Sequence, residues 1–177
     1  MKKTLVIIIH SSLETSLINK RWVEELKKHP EKYTLHDLHR LYPDEKIDVT
    51  KEQEIIAAYD KMIFQFPFYW FNCPPLFKKW LDEVLTQGWA YGAGSGYQMA
   101  GKKIALGISA GINKEDYTTS GRYKYTLAQL TAPFEITFNY IKAEYKSFFA
   151  FYGVEHHPTT AQVDQSAGDY MAFIDGL

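Results

Sequence analysis

An α/β fold, a doubly wound five-stranded parallel sheet in the order 2-1-3-4-5, is predicted by two features of this 177-residue chain. Short apolar runs alternate with segments whose apolar residues recur at helical spacing, the pattern of parallel strands covered on both faces by crossover helices. Five such runs fill the available length, and sheets of this kind bind ligands at the carboxyl ends of their strands, beside strands 1 and 3. The second feature sits at that edge: the run Gln65, Phe66, Pro67, Phe68, Tyr69, Trp70, Phe71 grows flatter and more apolar where a strand leaving a sheet normally turns polar.

The first strand, 5–9, is a continuous apolar and β-branched run, as burial on both faces requires. After a loop over 10–14, Leu17, Ile18, Trp22 and Leu26 recur at helical spacing through Lys28, and Pro30 is the stop. A weak second strand covers 34–38, residues 40–49 are polar and loop-like, 51–59 is a short helix, and 61–66 is the third strand. Pro74 and Pro75 suit a first helical turn, with Asn72 or Cys73 as the cap. Leu76, Phe77, Trp80, Leu81, Val84 and Leu85 then line one face, and Lys78, Lys79, Asp82 and Glu83 the other. A glycine- and aromatic-rich loop, 88–101, leads to the fourth strand at 102–109. Residues 111–125 read as an irregular polar loop, 126–140 as helical pieces broken at Pro133, 146–152 as the fifth strand and 163–174 as a closing helix. This is the flavodoxin-like arrangement, and with no repeat or linker in sight 1–177 reads as one domain.

Composition narrows the function. The formal net charge is −1 with scattered Lys and Arg, which argues against nucleic acid as a partner. Cys73 is the only cysteine, so neither a disulfide framework nor a multi-cysteine metal site is available. His36 with His39, and His156 with His157, lack the spacing and carboxylates of a metal site, so no metal is expected. The apolar core of the first residues is too short for a signal peptide or a membrane span, and a cytoplasmic location is expected. Aromatics make up 16% of the chain, a surplus that serves a core, an interface or a ligand with a π-face.

Three strand-end loops fall on one edge of the predicted sheet. The loop 10–19 leads into a helix N-terminus, where unpaired N–H groups stabilise a phosphate, with Thr15, Ser16 and His10 as further donors; an ordinary N-cap explains the same residues. It carries no GxGxxG, so the NAD-type dinucleotide fingerprint is absent. The loop 65–71 supplies an apolar edge for a flat polycyclic ring, a flavin first among candidates; a dimer interface or a large core wedge is the alternative. In the third loop, Ser109, Ala110, Gly111 and Ile112 let backbone approach a ligand closely, with Tyr117 eight residues beyond Ser109, although a plain βα turn uses the same residue types.

These residues carry a resemblance to the NAD(P)H:quinone oxidoreductase family of flavodoxin-like enzymes, in particular its small bacterial general-stress and potassium-efflux-ancillary types. The segment from Gln65 through Phe71, Asn72, Cys73 and Pro74, continuing over 78–84 and into Gly88, Trp89, Ala90, Tyr91 and Gly92, carries it most specifically. His10, Ser16 and Asn19 match the family's H-x(5)-[ST]-x(2)-N spacing, and Ser109, Ala110 and Gly111 stand at its Thr-Thr-Gly position. The resemblance implies a cytoplasmic homodimer with flavin at the subunit interface and NAD(P)H as co-substrate. It places His10, Ser16, Leu17 and Asn19 on the cofactor phosphate, and Pro67, Phe68, Tyr69, Trp70 and Phe71 along the ring. Ser109, Ala110, Gly111 and Ile112 fall at the pyrimidine edge, and Tyr117 near its O2/N1 side. Trp70 and Phe71 flank the quinone, Tyr91 belongs to the substrate pocket, often that of the opposite subunit, and His156 lies at its rim.

The implied reaction is ping-pong: hydride from NAD(P)H to flavin, then two-electron reduction of a quinone, with Tyr117 and Tyr123 as the catalytic donors. Tyr123 stands where better-known members have histidine, and Ile112 where they have a second glycine. The long C-terminal extension of FAD-dependent members is missing, which favours FMN over FAD. Two rival readings remain: a regulatory flavoprotein subunit of a membrane transport system, docking through the 40–49 loop and charged helix faces, and an electron-carrier flavodoxin, which the near-neutral charge disfavours. Cys73, at a helix N-terminus that favours a thiolate, has no catalytic partner nearby and is given a cap or packing role.

Overall fold

The computed structural model describes residues 3–94 and 96–177; Met1 and Lys2 of the apolar start and Ser95 of the 88–101 loop lie outside the described residues. Its centre is a five-stranded parallel sheet in the order β2-β1-β3-β4-β5, made of β1 (Thr4–Ile8), β2 (Tyr33–Asp37), β3 (Lys61–Pro67), β4 (Lys103–Ser109) and β5 (Glu144–Phe151). The helices are α1 (Leu17–Leu26), α2 (Leu38–Leu41), α3 (Val49–Ala57), α4 (Pro75–Val84), α5 (Leu127–Tyr140) and α6 (Thr160–Asp175).

The unbroken apolar run of β1 follows from two separate cores. Leu5, Ile7 and Ile9 pack on one face with Phe64, Phe77, Trp80 and Phe138, the layer of α3, α4 and α5. Val6 and Ile8 pack on the other with Trp22, Ile63 and Tyr170, under α1 and α6. Side chains alternate across a strand, so burial on both faces favours apolar residues at successive positions. Gly107 of β4 makes room on the second face, because a Cβ there would collide with the Tyr170 hydroxyl.

One carboxylate lies in the first layer. Glu52 of α3 is fully buried and accepts from Trp80 Nε1 at 2.8 Å, Tyr42 Oη at 2.7 Å and His36 Nε2 at 2.8 Å. Burial pushes its carboxyl up, but the bonds from His36, Trp80 and Tyr42 outweigh that and hold it below the usual glutamate range. A buried charge is tolerated when donors surround it this completely.

Several expected boundaries move. Leu38, expected to end the second strand, instead opens α2, capped by Asp37, whose carboxylate accepts from Arg40 N–H at 3.2 Å; four residues are too few for a periodicity to register. α5 runs unbroken through Pro133, because Thr126 and Gln129 form a capping box and Leu127, Phe134 and Phe138 are buried on one side. Pro133 and Gln129, whose carbonyl the proline leaves without its helical donor, are both exposed, so water can serve it. α6 begins at Thr160 rather than 163, behind a second capping box of Thr159 and Gln162. Neither Asn72 nor Cys73 caps α4: Pro74 occupies that position without a side-chain bond, and the Asn72 side chain accepts from Cys73 N–H at 2.9 Å. Among the described residues, no helix is long and apolar enough to cross a membrane.

Candidate functional site

The carboxyl ends of the inner strands are stitched into one edge. Ile9 N–H donates to Gln65 carbonyl at 2.8 Å, Phe68 N–H to Ser109 carbonyl at 2.8 Å, and Ala110 N–H to Phe151 carbonyl at 2.8 Å. Side chains reinforce the same line. Asn19 Nδ2 donates to Ser109 Oγ at 2.7 Å, and Gln65 Nε2 donates to Asn19 carbonyl at 3.1 Å, so the first turn of α1 is bolted to β3 and β4. Asn19 and Ser109, expected to face a ligand, are therefore buried and engaged inside the protein, where they position the loops.

Beyond this edge, Tyr69, Trp70, Phe71 and Asn72 form a tight turn closed by Asn72 N–H to Tyr69 carbonyl at 2.9 Å. Its central residues have φ of 49° (Trp70) and 61° (Phe71), both in the left-handed region that a type I′ turn demands and that Asn-Gly normally fills. Two bulky L-residues here cost roughly 1–2 kcal/mol each. The outcome is a Trp70 side chain 94% exposed, which no packing gain explains. Phe71 packs on Tyr123, ring centroids 5.0 Å apart, and lies 6.5 Å from Tyr117.

Trp70 and Phe71 form one lip of a cleft of about 900 Å³. Its walls are Phe68 and Tyr69 from the end of β3, Gly111, Ile112 and Tyr117 from the loop after β4, Lys78 and Leu81 of α4, Pro133 and Thr137 of α5, and Glu155 after β5. Among the described residues, the N–H groups of Trp70, Phe71, Gly111 and Ile112 meet no protein acceptor, and the Tyr117 hydroxyl makes no hydrogen bond. The cleft therefore offers aromatic walls and unpaired donors, the needs of a flat ring with a carbonyl-rich rim. Tyr117 is 6% exposed, and burial, then Tyr152, Tyr123 and Glu155, push its phenol up to about 12, so it keeps its proton.

A phosphate-compatible end adjoins the ring end. The His10 ring stands edge-on to Tyr69, centroids 6.3 Å apart. His10 Nδ1 accepts from Ser12 N–H at 3.1 Å, and burial, then His39, push its pKa down. That leaves a neutral imidazole with its proton on Nε2, a donor without the charge that the sequence left open. Ser16 caps α1, accepting from Asn19 N–H at 3.2 Å, and the exposed Leu17 follows. Among the described residues, the N–H groups of Leu17 and Ile18 have no protein acceptor, as expected in a first helical turn.

Some predicted residues lie elsewhere. Tyr91 packs on Tyr140 at the far end of α5, centroids 5.6 Å apart, and is not part of this chain's cleft. His156 is exposed beside the cleft, and Tyr123 touches it through Phe71. Pro67 and Ala110 are buried in the sheet edge. Cys73 lines the cleft, but burial pushes its thiol up to about 11, the reverse of the thiolate expected at a helix start. Lys78, Leu81, Pro133 and Thr137 were not foreseen: they come from the supporting helices, and only the fold brings them to this edge; Glu155 lies in the turn after β5, the stretch the resemblance put at the rim.

The sequence matches the family model of the flavodoxin-like fold over residues 2–174. It is 46% identical over 154 residues, 87% of each chain, to YrkL of Bacillus subtilis, named an uncharacterized NAD(P)H oxidoreductase. It is 37% identical over 135 residues, 76% of this chain and 72% of the other, to KefG of Cronobacter sakazakii, the ancillary protein of a glutathione-regulated potassium-efflux system. Among solved structures, general stress protein 14 of Treponema denticola in complex with FMN superposes with a TM-score of 0.93 at 42% identity, covering 99% of both chains. An NADPH-quinone reductase from P. pentosaceus superposes with a TM-score of 0.87 at 25% identity, covering 98% of both.

Proposed function

From the premise that the chain belongs to the flavodoxin-like fold family, we propose that it is an FMN-dependent NAD(P)H:quinone oxidoreductase. The observation that carries this reading is the cleft, where a strained, solvent-exposed Trp70–Phe71 turn faces the unpaired N–H groups of Gly111 and Ile112. The FMN-bound and oxidoreductase-named relatives support it.

FMN, when bound, would supply the two-electron redox chemistry that links NAD(P)H to a quinone. His10 Nε2, Ser16 and the first-turn N–H groups of α1 hold the phosphate. Phe68, Tyr69, Trp70 and Phe71 cover the ring and exclude water, and the N–H groups of Gly111 and Ile112 bind its pyrimidine edge. Asn19 and Ser109 keep those loops in register. Tyr117 holds a proton at its hydroxyl, aimed at charge that develops on the ligand's carbonyl edge. Tyr123 supports Phe71 from behind as a second hydroxyl donor. Trp70 and Phe71 bound the acceptor site, with His156 at its rim. Ile136 and Tyr140, each 67% exposed on α5, give an apolar face for a second copy, through which Tyr91 reaches the partner's acceptor site.

Purified protein saturated with FMN should show bands near about 370 and 450 nm, elute as a dimer, and reduce menadione with NADH or NADPH. Protein that stays colourless after saturation with FMN and with FAD overturns the assignment. A second reading rests on the KefG relative: a flavoprotein subunit on a membrane transporter, with reductase activity secondary. Stable capture by a transporter together with slow menadione turnover would favour that role.

A further inference from the structure

We propose that Glu155, held over Gly111 on the cleft wall and lacking a counter-ion, sets the charge preference of the acceptor site, turning it against anionic acceptors. This rests on the reductase reading above. The placement is fixed by backbone. Gly153 has φ of 76°, which turns the chain off β5. Gly153 N–H then donates to Ile112 carbonyl at 2.8 Å, Val154 N–H to Ala110 carbonyl at 3.1 Å, and Glu155 N–H to Gly111 carbonyl at 3.0 Å. The turn after β5 is thus zipped along the loop that shapes the cleft. A Cβ at position 111 would collide with Glu155 Oε1, so the missing side chain of Gly111 is what gives the carboxylate its place.

The charge balance of the wall makes this carboxylate decisive. Among the described residues, two with full charges line the cleft, Lys78 and Glu155. Lys78 Nζ is taken by both oxygens of Asp82, at 2.5 and 2.6 Å, so its charge is matched on its own helix. Glu155 forms no ion pair among the described residues. Arg122 stands over the Tyr123 ring, 5.4 Å from its centroid, and is not a wall residue. Among the described lining residues the cleft keeps one unmatched negative charge, on a solvent-exposed carboxylate, so its field reaches a bound acceptor through a screened path and fades with salt. Tyr117 already feels it, since Glu155 is among the groups that push its phenol up, after burial and the two neighbouring tyrosines.

The test compares wild type, Glu155→Gln and Glu155→Lys as FMN-loaded proteins, with menadione and a sulfonated naphthoquinone as acceptors. In a ping-pong scheme the acceptor's kcat/KM is independent of the donor half. The ratio of sulfonated to neutral kcat/KM should rise roughly three- to tenfold in Glu155→Gln at low salt, and further in Glu155→Lys. It should converge among the three proteins near molar salt. The dissociation constants of naphthalene-2-sulfonate and neutral naphthalene-2-sulfonamide, read by tryptophan fluorescence, should follow the same order without any turnover. A ratio unchanged across the three proteins, with both acceptors reduced, overturns the role of Glu155 and leaves the reductase reading standing. Wild-type protein that reduces neither acceptor overturns both.

Discussion

Replacing Trp70 by asparagine isolates what the strained turn is for. The wild-type residue has φ of 49° and a side chain 94% exposed, so the substitution removes left-handed strain and almost no buried surface. An L-residue in that region costs roughly 1–2 kcal/mol, and asparagine recovers part of it through local hydrogen bonding. A net gain of about 1 kcal/mol is expected, equivalent to roughly 2–4 °C in Tm for a domain of this size. Phe71 stays in place, so its contact with Tyr123 is kept. The site should pay for that gain: losing one aromatic face is worth about 0.5–1.5 kcal/mol, a two- to tenfold weaker hold on a stacked ligand. Urea melts of the FMN-free protein and titration of flavin fluorescence measure the two sides separately. If stability is unchanged or lower while FMN affinity and menadione turnover stay at wild-type values, the strain serves some purpose other than the ligand.

Tyr117→Phe should lower kcat by about tenfold or more, as removal of a donor to developing charge does. Because its hydroxyl has no protein partner among the described residues, Tm should stay within a degree or two, and a large drop in Tm would show a structural role instead. Glu52→Ala strands the three donors His36, Tyr42 and Trp80 in the core and should cost about 3–5 kcal/mol, read from urea midpoints. The acid limb has a defined sign. The folded Glu52 carboxyl is held low, so its contribution is present above the ordinary glutamate range and is lost as pH falls through the lower folded value. Urea midpoints should decline below roughly pH 4.5, with a shallower slope in Glu52→Gln; parallel slopes would exclude Glu52 as the cause. The Cys73 thiol, pushed up to about 11, should alkylate slowly at neutral pH and accelerate as pH approaches that value. Rapid labelling at pH 7 would contradict the burial argument.

What could be read in advance followed from periodicity. β1 alternates its side chains between two cores, so Leu5, Val6, Ile7 and Ile8, which follow the buried Thr4, are all apolar and stand out as a run. Pro133 misled because tolerance of a proline depends on whether the carbonyl it orphans can reach water, a property of the folded surface. Asn19 carried a ligand-binding spacing, yet its amide binds Ser109, ninety positions along the chain. Lys78 looked like an ordinary solvent-facing residue of α4, and only the folded cleft shows it as part of a wall. The aromatic loop was legible because its composition departs from what a strand exit requires; the strain within it was not, since φ is a consequence of closure.

The bolt from Asn19 through Gln65 to Ser109 bears on the thermodynamics of association. Segments from three distant parts of the chain are already locked in register by hydrogen bonds among these groups. An incoming molecule need not gather loose loops, and little conformational entropy remains to be lost on complex formation. Binding heats should therefore reflect surface burial and new polar contacts, with little contribution from coupled folding.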